Sequence, residues 1–223
     1  MTPGLDQADS GAVAVLTSGG LDSAILVAEL LRQGRPVQPI YVRFGLVWEV
    51  VEEAHLRRFL STLPAPAPVA LEFPIADVYA AHWSISADGI PDADTPDEAV
   101  YLPGRNLLLV AKTAVWCALH AWPTVALGTL KGNPFADSSR EFFAGLESVV
   151  HTGLDWPLQI VTPFSELTKA DVLELGRGLE LEHTFSCISP VGDDHCGQCN
   201  KCAERRRAFE AVAVDDLTTY AAT

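Results

Sequence analysis

Two short stretches concentrate residue types that could do chemistry. The first is Ser18-Gly19-Gly20-Leu21-Asp22-Ser23. Its two glycines let the backbone turn tightly and come close to a ligand, and free N–H groups at a helix start favour an anion. Ser18 and Ser23 add hydroxyl donors for phosphate oxygens, and Asp22, a carboxylate beside a phosphate site, makes sense as a holder of Mg²⁺. The Gly-Lys-Ser/Thr of Walker-type loops is missing. The competing account is a plain glycine turn with Asp22 in the first helical turn.

The second stretch is Cys196-Gly-Gln-Cys199-Asn-Lys-Cys202, with Cys187 upstream. Short Cys-x-x-Cys spacing lets thiolates converge on one tetrahedral ion, and four sulfurs leave no position for an activated water, which predicts a structural Zn²⁺. Lys201, Arg205, Arg206 and Arg207 stand where they could offset the charge of four thiolates. A disulfide pair, a redox Cys-x-x-Cys motif, or His195 in place of one thiolate are the alternatives. Cys117, inside an apolar run, reads as a core residue. Among the histidines, His55 lies beside Arg57 and Arg58 and is expected on a solvated helix face; His82 and His55 are both weighed as proton carriers.

These residues need elements to hold them. Ala12 to Leu16 is a short apolar run typical of a strand buried on both faces, and Ser23 to Arg32 shows helical spacing through Ile25, Leu26, Leu30 and Leu31. The glycine loop therefore falls at a strand-to-helix turn. Val37 to Phe44 reads as a strand, Glu49 to Leu63 as an amphipathic helix, and Val69 to Phe73 as a third strand. Ser84 to Tyr101 reads as a long polar loop. A helix from Arg105 to Ala121, a strand from Thr124 to Leu127, a helix near Arg140 to Val150, a strand from Gln159 to Val161 and a helix from Lys169 to Leu179 follow. Alternation of this kind predicts an α/β fold, a Rossmann-like parallel sheet flanked by helices. The expected organisation is a flexible tail over residues 1–11, an α/β domain over 12–180, and a zinc-binding segment over 181–223 packed on the same domain.

The chain has 223 residues and a formal net charge of −14. That balance argues against a broad nucleic-acid surface, because such affinity rests on Lys and Arg neutralising phosphates. The N-terminus lacks the basic-then-apolar pattern of an export signal, so a cytoplasmic location is expected. The most apolar stretch, Leu107 to Trp122, is interrupted by Lys112 and His120 and falls short of the roughly 20 residues that a membrane span needs.

With its loop at this position, the chain resembles the N-type ATP pyrophosphatases, the PP-loop superfamily of adenine nucleotide alpha hydrolase-like fold, which split ATP into AMP and pyrophosphate. Thr162-Pro163-Phe164 followed by Thr168-Lys169-Ala170-Asp171 looks like a second element of that superfamily, a lysine able to reach the ATP phosphates. Thr168 and Asp171 also have capping-box spacing, so a plain helix start is the competing reading. A cation at that end of a helix opposes the macrodipole, which favours a functional Lys169. Tyr101-Leu102-Pro103-Gly104-Arg105-Asn106, taken with the loop and the cysteines, resembles the Pro-Gly-Arg-Asn segment of the 7-cyano-7-deazaguanine synthases of queuosine biosynthesis.

That resemblance spans nearly the whole chain and implies an ATP-dependent carbon–nitrogen ligase. It would adenylate a small carboxylate, 7-carboxy-7-deazaguanine, and convert it with ammonia to the nitrile, with ATP, Mg²⁺ and Zn²⁺ as cofactors. It implies Asp22, Lys169 and Arg105 as catalytic residues. ATP would rest on Ser18, Gly19, Gly20, Leu21, Asp22, Ser23 and Asn106, and the substrate on Phe44, Arg105, Gly128 and Asp137. A homodimer is common among such enzymes. Two places depart from the family. Asp137-Ser138-Ser139-Arg140-Glu141-Phe142 keeps the family's aspartate and Glu-Phe end with the arginine displaced by one. Arg43-Phe44-Gly45-Leu46-Val47-Trp48-Glu49 replaces the usual polar residues after the second strand. Losing those polar groups would change what the adjoining pocket recognises. An amide ligase using ammonia or an amine on another molecule, a protein included, is therefore the second reading, and a non-catalytic nucleotide-binding module the third. A tRNA-thiolating enzyme is disfavoured by the acidic charge and by the lack of a cysteine pair outside the cluster.

Overall fold

The computed structural model describes residues 11–221, so the tail expected over residues 1–11 lies, apart from Gly11, outside the described residues. The five strands β1 Val13–Leu16, β2 Val37–Arg43, β3 Val69–Glu72, β4 Thr124–Ala126 and β5 Gln159–Val161 form one parallel sheet in the order β3-β2-β1-β4-β5. The helices are α1 Leu21–Arg32, α2 Glu49–Leu60, α3 Ala76–Tyr79, α4 Trp83–Ser86, α5 Arg105–His120, α6 Arg140–Leu154, α7 Lys169–Leu175 and α8 Asn200–Ala211.

Strand residues alternate between two cores. Val13 and Val15 of β1 and Tyr41 of β2 pack with α1, α2, α7 and α8, whereas Ala14, Leu16, Ile40 and Val42 face α5 and α6. Covering on both faces is what a parallel sheet requires, and it explains why β1 is apolar at every position. The chain runs outward from β1 to β3 and then resumes at β4 on the other side of β1. The strand order therefore reverses between β1 and β4, and the crevice beyond their carboxyl ends is where an open α/β sheet binds ligands.

Several expected boundaries move. α7 stops at Leu175 instead of continuing to Leu179. A Cβ at Gly176 would lie 2.7 Å from Cδ1 of Ile25, so the glycine marks the close approach of α1, and Gly178 follows with φ +82°. α8 carries no apolar periodicity that would mark it in the sequence, since Glu204 to Arg207 disguise it as a polar tract. The segment expected as a plain loop from Ser84 to Tyr101 contains the end of α4 and a 3-10 turn, Asp97–Val100. It is tied to the cysteine segment by an Asp92–Cys199 bridge and by Asn200, whose backbone N–H donates to Pro91 and whose amide donates to the Thr95 carbonyl at 2.6 Å. No helix among the described residues is long and apolar enough to cross a membrane.

Candidate active site and metal centre

The loop Ser18 to Ser23 runs from the end of β1 into α1. Gly19 has φ +76°, and a Cβ there would meet the Glu52 carbonyl oxygen at 3.0 Å, so both conformation and space require glycine. Gly20 caps α1 without a side-chain partner, leaving first-turn N–H groups to a ligand. Ser18 and Ser23 brace the loop: the Ser18 N–H donates to the Ser23 hydroxyl at 3.2 Å, and that hydroxyl lies 3.2 Å from the Gly20 carbonyl. Leu21 buries its side chain in the core, so only its backbone is offered to the site. Gly128, just beyond β4, backs the loop, because a Cβ there would lie 3.1 Å from the Asp22 carbonyl carbon.

The loop opens on a cleft of about 250 Å³ that continues into a second lobe of about 290 Å³. Ser18, Gly20, Asp22, Glu52 and Arg105 line both lobes and so mark the junction between them. Lys169, at the start of α7, reaches this junction, with Nζ 2.9 and 2.7 Å from the Asp22 carboxylate oxygens and 3.4 Å from Glu204. Burial opposes its charge, but Asp22 and Glu204 outweigh burial and raise its pKa. The Glu204 carboxyl, which burial would push up, is held down at about 2 by Lys169 and Lys201. The capping box of Thr168 and Asp171 is also formed, so the same helix start is both capped and aimed.

Arg105 opens α5, and its buried Nε has no partner among the described residues, a donor that an anionic ligand could satisfy. Asp137 accepts from the Asn106 backbone N–H at 3.1 Å, and the Asn106 amide donates to the Asp137 carbonyl at 3.0 Å. Those two residues therefore fasten the start of α5 to the cleft wall. The buried Thr129 hydroxyl, likewise unpartnered among the described residues, lines the first lobe. Phe44 is placed otherwise than expected. Its ring is buried against Phe73 at 6.1 Å between centroids and does not line the cleft, because Gly45 at φ +83° turns the chain so that Leu46 faces the first lobe.

Sequence reasoning missed the acids behind that wall. Glu49 accepts from the backbone N–H groups of Phe44 and of Gly45, the latter at 2.8 Å, and so folds the turn that presents Leu46 and Trp48. Glu52 accepts from the Tyr41 hydroxyl at 2.7 Å. Burial pushes its carboxyl up to about 7, although Arg105 and the Tyr41 bond pull it down. Trp48 stacks on Trp83 at 5.6 Å, and both line the second lobe. The available signal was Glu49 and Glu52 at helical spacing on the inward face of α2.

His55 is a correction. It is buried rather than solvated, packed on Phe185 at 4.9 Å with Nε2 3.0 Å from the Asp193 carbonyl. Residues two apart on a helix face different directions, so the exposed Arg57, paired with Glu53, says nothing about His55. His82 caps α4 by accepting from the Ser84 N–H and lies outside both lobes.

The four cysteines converge. The Sγ atoms of Cys187, Cys196, Cys199 and Cys202 lie within 4.8 Å of one another, with Cys196–Cys202 and Cys187–Cys199 each at 3.9 Å. A tetrahedral Zn²⁺ with bonds of ~2.3 Å needs sulfur–sulfur edges of about 3.8 Å. Backbone N–H groups of Ser189 and Cys196 point at the Cys187 sulfur, both at 3.3 Å, as suits thiolates. The donor set fits Zn²⁺, and the cluster is neither a disulfide nor a lone redox pair. His195 is not among the converging donors, and its Nε2 instead accepts from the Ser186 N–H at 3.1 Å. Of the nearby cations, Arg205 turns away, buried against Thr184, Thr218 and the Leu181 carbonyl. Burial pushes the Cys117 thiol up to about 12, consistent with a core role.

A parallel sheet with a Ser-Gly-Gly-Leu-Asp-Ser loop at its switch point, faced by a lysine from a later helix, is the fold and loop arrangement of the PP-loop class. The fold is similar to that of the U34-tRNA thiolase NcsA from Methanococcus maripaludis, with a TM-score of 0.53 and 15% identity over 97% of this chain and 77% of that one. A 4-thiouridine synthetase solved with RNA and ATP gives 0.50 and 16% over 91% and 50%. Within that class the chain belongs to the family described as queuosine biosynthesis protein QueC, whose model matches residues 12–213. Among curated relatives, the 7-cyano-7-deazaguanine synthase of Desulfotalea psychrophila is 29% identical, covering 92% of this chain and 97% of that protein. The one from Methanococcus aeolicus is 26% identical, covering 94% and 98%.

Proposed function

We propose that this protein activates 7-carboxy-7-deazaguanine with ATP as its adenylate, releases pyrophosphate, and delivers the acyl group to ammonia to give the amide and AMP; a second ATP then adenylates the amide oxygen, which leaves on a second AMP to give 7-cyano-7-deazaguanine. The observation that carries this reading is the convergence of the glycine loop, Lys169 and Arg105 at the junction of a two-lobed cleft. A carboxylate oxygen is a poor leaving group, and adenylation turns it into a good one. The backbone of Gly19 to Ser23 and the α1 N-terminus would hold the departing pyrophosphate. Lys169 would exchange Asp22 for a phosphate oxygen, and Arg105 would satisfy its orphaned Nε on the reacting carboxylate or α-phosphate. Such contacts strengthen as charge develops and need no reorganisation. Mg²⁺, when bound, would supply further charge neutralisation, with Asp22 as its protein ligand. Zn²⁺ on the four cysteines would be structural, since four thiolates fill its tetrahedral sphere.

The stacked Trp48 and Trp83 support a second reading, because a flat apolar wall replaces the polar groups usual in the family. In that reading the product is an amide. Incubation with 7-carboxy-7-deazaguanine, ATP, Mg²⁺ and ammonium, with products followed by mass, separates the two. The nitrile with AMP supports the first reading; AMP with amide alone supports the second.

A further inference from the structure

Five carboxylates line the two lobes, and four already have occupations. Asp22 is paired with Lys169, Glu204 with Lys169 and Lys201, Asp137 fastens the α5 start through Asn106, and Glu49 is taken up by the backbone of the Phe44–Gly45 turn. Glu52 is different. It is buried, lines both lobes, and sits directly behind the phosphate loop, its Cγ 3.3 Å from where a Gly19 Cβ would be. Its partners are the Tyr41 hydroxyl on β2 and the indole of Trp48, the residue that caps its helix, which leaves acceptor capacity unused. The charged groups facing it are Arg105 from α5 and Glu49.

An acid at the centre of an anion site is costly when charged, because it repels the phosphates and carboxylate that the site must bind. The cost is removed by a cation beside it or by a proton on it. Ammonia supplies both: at neutral pH it arrives as ammonium, and it must lose a proton before it can attack.

We propose that Glu52 is the base that takes this proton, so that nitrogen enters as ammonium and is released as free amine beside the activated acyl carbon. This rests on the adenylating reading above. One proton passes from ammonium to Glu52. The nitrogen lone pair then forms the carbon–nitrogen bond, the carbon–oxygen bond to AMP breaks with its electron pair leaving on AMP, and the second proton is lost to solvent. The carboxyl, poised at about 7, has the strength such a transfer needs near neutral pH.

The test compares two nucleophiles on wild type and Glu52→Gln, with carboxylate-dependent ATP–pyrophosphate exchange measured on the same preparations. Hydroxylamine is uncharged at neutral pH and needs no base before attack. In Glu52→Gln, ammonium-dependent turnover divided by exchange is expected to fall by about 100-fold or more. Hydroxamate formation divided by exchange is expected to stay within a few-fold of wild type. Raising the pH should restore ammonium use in the variant about tenfold per unit, in step with free ammonia. Equal losses with both nucleophiles, or no loss with ammonium, would overturn the assignment. Should the variant fold poorly, Tyr41→Phe, which removes one donor to Glu52, is expected to move the pH profile of wild-type ammonium turnover upward, and an unmoved profile counts against the proposal. Absence of exchange in the wild type would instead remove the adenylating reading itself.

Discussion

The ammonium of Lys169 lies 2.7 Å from the carboxylate of Asp22, joining the starts of α7 and α1 across 147 residues of sequence. In the adenylating reading both groups would serve a phosphate, the cation by holding it and the anion by holding its metal. Their mutual pairing keeps two helix N-termini aimed at one point, and ATP would replace the pair with phosphate oxygens and Mg²⁺.

Replacing that cation should therefore cost activity more than stability. Lys169→Met is expected to lower ATP–pyrophosphate exchange by about 100-fold or more while leaving a cooperative thermal transition. Exchange within a few-fold of wild type would mean that Lys169 serves only Asp22 and Glu204.

Gly128 tests the loop from behind. A methyl group there would press on the Asp22 carbonyl carbon at 3.1 Å, against backbone that cannot yield as a side chain does. Gly128→Ala is expected to raise the KM for ATP by about tenfold and to destabilise by about 1–3 kcal/mol, read by steady-state kinetics and urea melts.

Stability should also report on Glu52. Its folded pKa of about 7 lies above the ordinary value of ~4.3 for a free glutamate. Between those values the folded protein holds a proton that the unfolded chain has lost, so this residue costs stability as pH rises through that window. Glu52→Gln does not titrate and should gain on wild type from pH 5 to pH 8, by at most about 3 kcal/mol. Glu204, held at about 2, works in the opposite sense: its contribution is present above the ordinary glutamate value and is lost only as pH falls towards 2. It therefore leaves the comparison undisturbed.

Removal of the metal should loosen the C-terminal segment. Cys187 and Cys199 are in the core that faces α5, and the Asp92 bridge and Asn200 tie residues near Pro91 to Cys199. Cys199→Ser, or a strong chelator, is expected to destabilise by on the order of 3 kcal/mol, with zinc released in step as measured by metal analysis. An unchanged melting curve after complete zinc removal would contradict a structural role.

The parts that sequence made legible are those written in local pattern. The glycine loop, the Cys-x-x-Cys spacing and the strand–helix alternation each depend on neighbours a few residues apart. Lys169 could be singled out because a cation at a helix start is locally unfavourable. What stayed hidden was set by tertiary partners. Glu52 looks like any surface glutamate until Tyr41 and Arg105 are brought against it. His55 shares its helix with exposed arginines yet faces Phe185. Phe44 sits beside the cleft in sequence, but the Gly45 turn sends it into the core. α8 lacks a helical apolar pattern because its inward side includes Arg205, whose buried guanidinium is satisfied by Thr184 and Thr218.

The most direct test of carboxylate activation follows an oxygen atom. With the substrate carboxylate labelled in heavy oxygen, adenylation predicts that one labelled oxygen per activation appears in the phosphate of AMP, with pyrophosphate unlabelled. Label in inorganic phosphate alongside ADP, or AMP that carries none, would contradict it.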